Sequence, residues 1–446
     1  MNDKTMHVGF DDTDSIKKGC TTYIAALLVE KLLRLETRFI DYPDLIRLNP
    51  NVPWKTRGNG ALCLRIRYDH NMDEKIREVV TNTVENHADL ESEGTEPGIV
   101  FFKGSRVPKE LMFFAKNATT GVVSLKDAMK LTRKFKAEAV GFKSGRGIIG
   151  ALAAIGTTLE ADYTYEILAY RTPENCGSKR KVDEASIFSM DRATAPYTFN
   201  NVDSEKGRVI ITPRGPDPIL FGVRGETPQI VKKAFEMVKP LESVERWVVF
   251  RTNQGTDAHL QKVKNLSQMV PYSSVIVRGT VSTEPRVIPR RHVVFSIEDE
   301  SGWVDCAAFE PTGALRRVAK ELAVGDQVEV CGGVRAASGS RPLTINLEKI
   351  RVLRLVPRLV YQNPVCPLCG KRLKSMGRNQ GFRCEKCRQR YSGFGKVVVR
   401  LKRELRRGLY VTSARSQRHL TKPLRRYGLE KRSAEPMRLV DGWHFP

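Results

Sequence analysis

Four thiols and three carboxylates have the types and spacing of chemistry. Cys366-Pro-Leu-Cys369 and Cys384-Glu-Lys-Cys387 are two Cys-x-x-Cys pairs with fourteen residues between them. Each pair supplies two thiolates from one tight turn, and zinc takes four of them tetrahedrally in structural sites. The spacing is one residue under the usual ribbon window, which a short loop still bridges. It predicts a zinc ribbon on Cys366, Cys369, Cys384 and Cys387. Four thiolates leave no open position for water, so catalytic zinc is disfavoured. A redox role for either pair would make the ribbon spacing a coincidence. The second group, Asp11-Asp12-Thr13-Asp14, directly follows the apolar run Met6 to Phe10. Three carboxylates in four residues repel one another unless a cation binds, and ligands of open α/β sheets gather at the carboxyl ends of strands. Magnesium is oxygen-seeking and is usually held by one or two carboxylates plus substrate phosphates. Asp11, Asp12 and Asp14 are therefore candidate magnesium ligands and catalytic groups. A solvated acidic turn is the plainer alternative.

Gly19-Cys20-Thr21-Thr22-Tyr23 opens the next predicted helix. The free amides and positive dipole end of such a helix would face the pocket of the aspartates. Thr21 or Thr22 could bind phosphate, act as a hydroxyl nucleophile, or simply cap the helix, which is the commonest use. A third motif runs Lys143-Ser-Gly145-Arg146-Gly147-Ile-Ile-Gly150 into a helix of small residues ending at Gly156. Its G-x-G-x-x-G suggests a dinucleotide, but no strand ends in an acidic residue about 20 positions on. Lys143 and Arg146 suit a polyphosphate better, and the chain has no G-x-x-x-x-G-K-[ST]. Thr22, Lys143, Gly145, Arg146, Gly147 and Gly150 are thus candidate contacts for ATP bridged through magnesium to the aspartates. Glu93 and Glu96, in an acidic stretch from Glu91 to Gly98, are either an exposed loop or a place for a small cationic substrate.

Several modules must position these residues. In 446 residues the soft prior is three or four domains. Residues 1–157 alternate strand and helix signals, the pattern of an α/β domain. Residues 158–262 read β-α-β-β-α-β, with strands at 163–171, 209–211, 219–223 and 247–251, as in a ferredoxin-like fold. Residues 265–274 read as a linker. Residues 273–356 give five strands with a helix between the third and fourth, the order of an OB-fold, a small barrel that often binds single-stranded nucleic acid. There Arg278, Arg286, Arg290, Arg291 and Trp303, with Phe295 and Phe309, suit phosphate contact and base stacking, although such aromatics are also common in cores. Residues 357–394 hold the zinc ribbon and 395–446 a basic C-terminal segment.

Lys and Arg total 75 against 50 Asp and Glu, a net charge of +25, so a polyanionic partner is expected. The surplus is uneven: residues 1–157 carry net +4 and residues 357–446 net +18. The basic end, including Arg403, Arg406 and Arg407, is the expected electrostatic grip on RNA. The longest apolar run has nine residues, too short to span a bilayer, and no leader pattern opens the chain. A cytoplasmic protein with no membrane partner is expected, and its nine cysteines point to metal rather than disulfides.

Phe10-Asp-Asp-Thr-Asp-Ser15, the Gly19 to Tyr23 run, Gly145 to Gly156, the OB-like segment and the ribbon follow one another as in a known family. In these motifs the chain resembles the archaeal 2-agmatinylcytidine synthetases that modify the isoleucine tRNA with a CAU anticodon. The resemblance implies an ATP-dependent ligase that attaches agmatine to the 2-position of the wobble cytidine, switches decoding from AUG to AUA and releases AMP and phosphate. It implies a kinase-like N-terminal domain that phosphorylates its own threonine, mapped onto Thr21, followed by ferredoxin-like, OB and zinc-ribbon domains. The runner-up is a non-enzymatic single-stranded nucleic-acid-binding protein, which leaves the aspartates and glycine turn unexplained. A nicotinamide oxidoreductase is a third reading.

Overall fold

The computed structural model describes residues 3–339, 341–433 and 438–446. Its centre is one continuous mixed sheet that crosses the expected boundary at residue 157. From one edge the strands run Glu138–Gly141, Gly98–Lys103, Asp3–Asp11, Gly60–Asp69, Asp44–Arg47, Val244–Thr252, Thr164–Arg171, Ile219–Gly225 and Thr198–Phe199. The two halves join where Asp44–Arg47 pairs in parallel with Val244–Thr252, in register Arg251 to Asp44 and Thr252 to Leu45. A single apolar core extends from Met6 and Val8 through Ile167 and Phe250. The polar groups at the seam are paired: Arg251 donates to Asp41 at 2.7 Å and Arg65 to Asp44 at 2.8 Å.

The small-residue helix Gly147–Gly156 lies directly on the first strand, Asp3–Asp11. A Cβ at Gly9 would stand 2.1 Å from the Ala151 carbonyl oxygen, so only glycine permits this approach. That helix is therefore built into the first half of the sheet. In the second half, the strand order Val244–Thr252, Thr164–Arg171, Ile219–Gly225, Thr198–Phe199 corrects one expectation. The strand between the two helices Glu184–Thr194 and Pro228–Met237 that takes the outer edge is Thr198–Phe199, not 209–211. Arg208–Val209 instead pairs with Val202–Asp203 in a separate hairpin.

A five-stranded closed barrel follows. Ser274–Val281 pairs with both His292–Asp299 and Gln327–Arg335, while Thr344–Arg354 pairs with Gln327–Arg335 and Gly302–Ala308. Gly302–Ala308 pairs with His292–Asp299, which completes the circuit. The helix Ala314–Glu321 sits between the third and fourth strands. Phe295 is wholly buried in the barrel core, so it is not a stacking surface. The expected linker is largely structure: Leu266 and Met269 enter the same core, and Leu260–Lys262 pairs with the first barrel strand. The ribbon's short strands Lys374–Ser375, Phe382–Arg383 and Arg390–Tyr391 ride on a two-stranded arm, Arg358–Gln362 with Val397–Leu401.

The largest departure from expectation is the C-terminal segment. Rather than extending as a free basic arm, it runs back over the whole body. Gly408–Val411 adds to the barrel strand Thr344–Arg354, and His444–Phe445 adds to Val244–Thr252 in the main sheet. Trp443 packs on Phe39 and Tyr42. Half of its cations are committed to carboxylates, among them Arg403 to Asp326, Arg415 to Asp203, Arg418 to Glu348, Arg425 to Asp191, and Arg426 to Asp162 and Glu226. Among the described residues no helix is long and apolar enough to cross a membrane.

Arg426 is 0% exposed and bridges Asp162, Glu226 and the Gly255 carbonyl. Truncating one partner of a buried ion pair strands the other charges and costs about 3–5 kcal/mol. Arg426→Ala is therefore expected to lower the calorimetric melting temperature markedly, whereas truncating the exposed Arg407 should leave it unchanged.

Candidate active site and metal centre

The first strand ends in Asp11, and the next residue, Asp12, adopts φ 60°, which turns the chain sharply at the strand's carboxyl end. The turn leads into a helix, Thr21–Leu33, whose N-terminus points at the same place. Cys20, the residue preceding it, makes no side-chain capping hydrogen bond, and neither does Arg146 before the helix Gly147–Gly156. The amides of Thr21 and Thr22 make no hydrogen bond among the described residues. Gly147 N, by contrast, donates to the Glu96 carbonyl at 2.9 Å, and Ile148 N and Ile149 N donate to the Gly145 and Arg146 carbonyls. One open helix N-terminus thus stands beside the three aspartates, a place that favours a bound anion.

These groups line a cavity of about 400 Å³ between the two halves of the sheet. Asp11, Asp12, Asp14, Thr21, Thr22, Arg146, Gly147 and Gly150 all face it. Lys143, Gly145, Glu93 and Glu96 do not. Lys143 donates to the Ser92 carbonyl at 2.6 Å, Gly145 makes the turn at φ 73°, Glu96 bonds Ser144, and Glu93 lies on the acidic loop outside. The glycines of this turn also meet a packing demand. A Cβ at Gly150 would overlap Asp11 Oδ2 at 1.8 Å, and one at Gly147 would come within 2.4 Å of the Gly98 nitrogen. These glycines make room for the carboxylate and the neighbouring strand.

The carboxylates differ sharply. Asp12 is bound by Arg146 at 2.8 Å, and Asp14 by Arg57, whose Nε donates at 2.8 Å. Burial pushes the Asp11 carboxyl up to about 8, with the Asp12 charge acting in the same direction. Burial also raises Asp12 and Asp14, against the opposing pull of their arginines. A divalent cation fits this donor set, since it would supply the charge that Asp11 lacks. Thr13 donates to the Thr21 hydroxyl at 3.0 Å, and Thr22 shares a 3.2 Å hydrogen bond with Cys20. Both threonine hydroxyls therefore stand in the cavity wall rather than capping their own helix.

Several residues there carry no local motif: Arg47, Trp54, Lys55 and Arg57 on one side, Glu166, Asp217 and Arg224 from the second half, and His419 from the C-terminal segment. They are brought in by sheet pairing, by the loop that precedes the strand Gly60–Asp69, and by the returning tail.

The second site is the ribbon. Ligand atoms of Cys366, Cys369, Cys384 and Cys387 lie within 4.8 Å of one another, as a tetrahedral zinc at ~2.3 Å from each sulfur requires. Hydrogen bonding with Tyr391 draws the Cys366 thiol down to about 6. Hydrogen bonds to Cys369 and the other sulfurs push Cys387 up to about 12. Four thiols so close cannot all ionise without a cation, and zinc is the ion whose chemistry matches.

Of the expected RNA contacts, Arg286, Arg290 and Arg291 are exposed on the barrel, with Trp303 61% exposed. Arg406 and Arg407 are exposed beyond it. Arg278 is exposed but paired with Glu329 at 2.8 Å. Arg403 holds Asp326 with two nitrogens and the Val356 and Glu321 carbonyls, so it braces the barrel and has no guanidinium face left for phosphate.

An α/β half carrying a carboxylate cavity, joined to a nucleic-acid-type barrel and a four-cysteine ribbon, defines a multidomain class of mixed α/β architecture. Family models match each part: the TiaS TCKD domain over residues 7–144, the TiaS FLD domain over 145–259, an OB-fold nucleic acid binding domain over 275–353, and the TiaS C-terminal zinc ribbon domain over 363–405. The chain belongs to the TiaS family, the 2-agmatinylcytidine synthetases of an isoleucine tRNA. It is 44% identical to the Pyrococcus horikoshii synthetase over 94% of this chain and 96% of that one. With the Methanocaldococcus jannaschii synthetase it shares 42% over 94% and 98%. Among solved structures, a TiaS complex with its isoleucine tRNA and ATP aligns with a TM-score of 0.85 at 41% identity, over 94% of this chain and 97% of that one. A TiaS complex with the same tRNA, AMPCPP and agmatine aligns at 0.82 and 39%, with the same coverage.

Asp11 titrates at about 4 when unfolded but near 8 when folded, so the folded state keeps a proton that the unfolded state has lost between those values. Stability should therefore fall as pH rises through that window and level off above it. In divalent-free buffer Asp11→Asn is expected to melt at the wild-type temperature near pH 4. By pH 8 it should melt above wild type in a thermal titration.

Proposed function

We propose that this chain is the ATP-dependent synthetase that attaches agmatine to C2 of the wobble cytidine of the CAU-anticodon isoleucine tRNA, in the cytoplasm. The observation that carries the reading is the cavity between the two halves of the sheet, in a chain alike over nearly its full length to synthetases solved with tRNA, ATP and agmatine. Residues 1–157 are read as a kinase-like catalytic domain, 158–262 as ferredoxin-like, and 273–356 as the OB domain that holds the anticodon loop. Residues 357–394 are the ribbon, whose arm and exposed arginines contact tRNA phosphates. Residues 395–446 contribute Arg406 and Arg407 to that contact.

The 2-carbonyl oxygen of cytosine is a poor leaving group, so it must first be phosphorylated. Phosphoryl transfer is mostly positioning and charge stabilisation. The open amides of Thr21 and Thr22 and the Arg146 guanidinium receive the ATP phosphates. Asp11, Asp12 and Asp14 would hold Mg²⁺, which when bound neutralises charge on those phosphates. Arg146 is tied to Asp12 in the free protein, so nucleotide binding exchanges that partner for phosphate. Thr21, held by the Thr13 hydroxyl at the cavity wall, is the hydroxyl placed to accept a phosphoryl group.

Agmatine brings two positive charges. Glu166 and Asp217 face the cavity but are paired with Arg224 and with Arg57 and Arg180 in the free protein, so agmatine would exchange with those partners, whereas Glu93 and Glu96 lie outside and can at most guide it from the entrance. Its amine has a solution pKa near that of lysine, about 10, so it must be deprotonated in the site before it attacks the activated carbon.

Incubation of the zinc-loaded protein with ATP, labelled agmatine and the CAU-anticodon tRNA is expected to place label on the tRNA. No incorporation by folded protein sinks the assignment. Asp12→Asn should lower the turnover by at least about 100-fold, as loss of a transition-state electrostatic contact does. Its affinity for tRNA should stay within about twofold of wild type, as read by fluorescence anisotropy.

A further inference from the structure

Nearly every cation in the cavity wall has a carboxylate partner: Arg57 holds Asp14 and Asp217, Arg146 holds Asp12, and Arg224 holds Glu166. Arg47 has none among the described residues. It is the last residue of the strand at the seam, and Asn253 fixes its backbone from both sides, accepting from Arg47 N at 2.8 Å and donating to its carbonyl at 2.9 Å. The side chain is thereby committed to the cavity. Its Nε is enclosed and makes no hydrogen bond. The space it occupies is kept clear by glycine: a Cβ at Gly58 or Gly60 would stand 2.7 or 2.8 Å from its terminal nitrogen.

Glu166 and Asp14 favour the Arg47 charge and Arg224 opposes it, but none of them pairs with it. Lys55 lines the same wall and has no hydrogen bond or ion pair among the described residues. Glu166 faces the cavity, but its two oxygens are taken by Arg224 and Gln254. His419, buried and depressed well below its ordinary value by burial and by Arg47, Arg224 and Lys55, stays neutral and cancels nothing. Burial pushes even the Arg47 guanidinium down to about 10. An enclosed charge with no partner is costly, and the free protein carries that cost at a cavity wall where a ligand can remove it.

We propose that Arg47, backed by Lys55, is a phosphate-binding subsite of this cavity, separate from the helix-terminal one at Thr21 and Thr22. A guanidinium fork matches two phosphate oxygens at once. The inference rests on the reading that the cavity takes nucleotide and RNA. Two phosphates share this chemistry, the RNA backbone phosphate beside the extruded base and the polyphosphate of the nucleotide. Trp54, 57% exposed at the rim next to Lys55, offers a stacking face for a base and favours the RNA phosphate.

The test uses the full chain with zinc bound and the variants Arg47→Gln, Arg47→Lys and Lys55→Gln. Affinities for the CAU-anticodon tRNA are measured across a salt series, and those for ATP with magnesium in parallel. Arg47→Gln is expected to weaken one ligand by about tenfold and leave the other within about twofold, with Arg47→Lys and Lys55→Gln intermediate. Loss confined to tRNA, with its salt slope reduced by about one, identifies the backbone phosphate. Loss confined to ATP identifies the polyphosphate. The melting temperature of Arg47→Gln should match or exceed that of wild type, because an unpaired charge has been removed. Unchanged affinity for both ligands, or a lowered melting temperature restored by Arg47→Lys with ligand affinities intact, overturns the proposal. Phosphate binding through Arg47 without agmatine transfer would remove the functional reading and keep this one. Transfer without any role for Arg47 would do the reverse.

Discussion

The parallel pairing of Asp44–Arg47 with Val244–Thr252 is the constraint on which the rest depends. It makes one sheet of two halves that the chain order presents as separate domains, and the cavity is the space left between them at that seam. The three aspartates reach it from one half, Glu166, Asp217 and Arg224 from the other. Were the halves joined only by a linker, their relative placement would vary by ångströms. Phosphoryl transfer tolerates far less, since a displacement of about 1 Å can cost 100-fold in rate. The ion pairs Arg251 with Asp41 and Arg65 with Asp44, together with the common core, turn the seam into a fixed surface.

Local pattern carried much of this structure and stopped where pairing between distant segments took over. The Cys-x-x-Cys knuckles were legible because both ligands of a pair come from one turn. The aspartates were legible because a strand end and a tight turn are adjacent in sequence. Helices such as Asp73–His87 and Leu125–Lys134 could be bounded from their apolar spacing. Arg47, Glu166 and His419 could not be found this way: each is a lone polar residue, and only register and the returning tail bring them to one cavity. The same limit explains Thr198–Phe199, whose two residues are too few for a periodic signal but complete the sheet edge. The glycine turn carries a second demand that its pattern does not show. Its pattern is that of a phosphate loop, while two of its glycines are required by Asp11 and the strand Gly98–Lys103.

Charge counting located the basic surplus correctly and described its use only in part. A formal charge becomes an electrostatic grip only if the side chain has no carboxylate of its own. From Arg403 onward many cations are paired with acids of the second half and of the barrel, beside apolar contacts such as those of Leu405 and Trp443. The ribbon and its arm keep their arginines exposed, so the field presented to a polyanion is concentrated there and around Arg286, Arg290 and Arg291.

The tail that ends as an edge strand also places His419 in the cavity wall, about 400 residues after the aspartates it faces. During synthesis the carboxylates emerge first, Glu166, Asp217 and Arg224 of the facing wall follow mid-chain, and His419 comes last of these. A nascent chain therefore passes through an interval in which the first sheet can form while its site stands open to solvent, and the wall is completed only once the returning tail has been made.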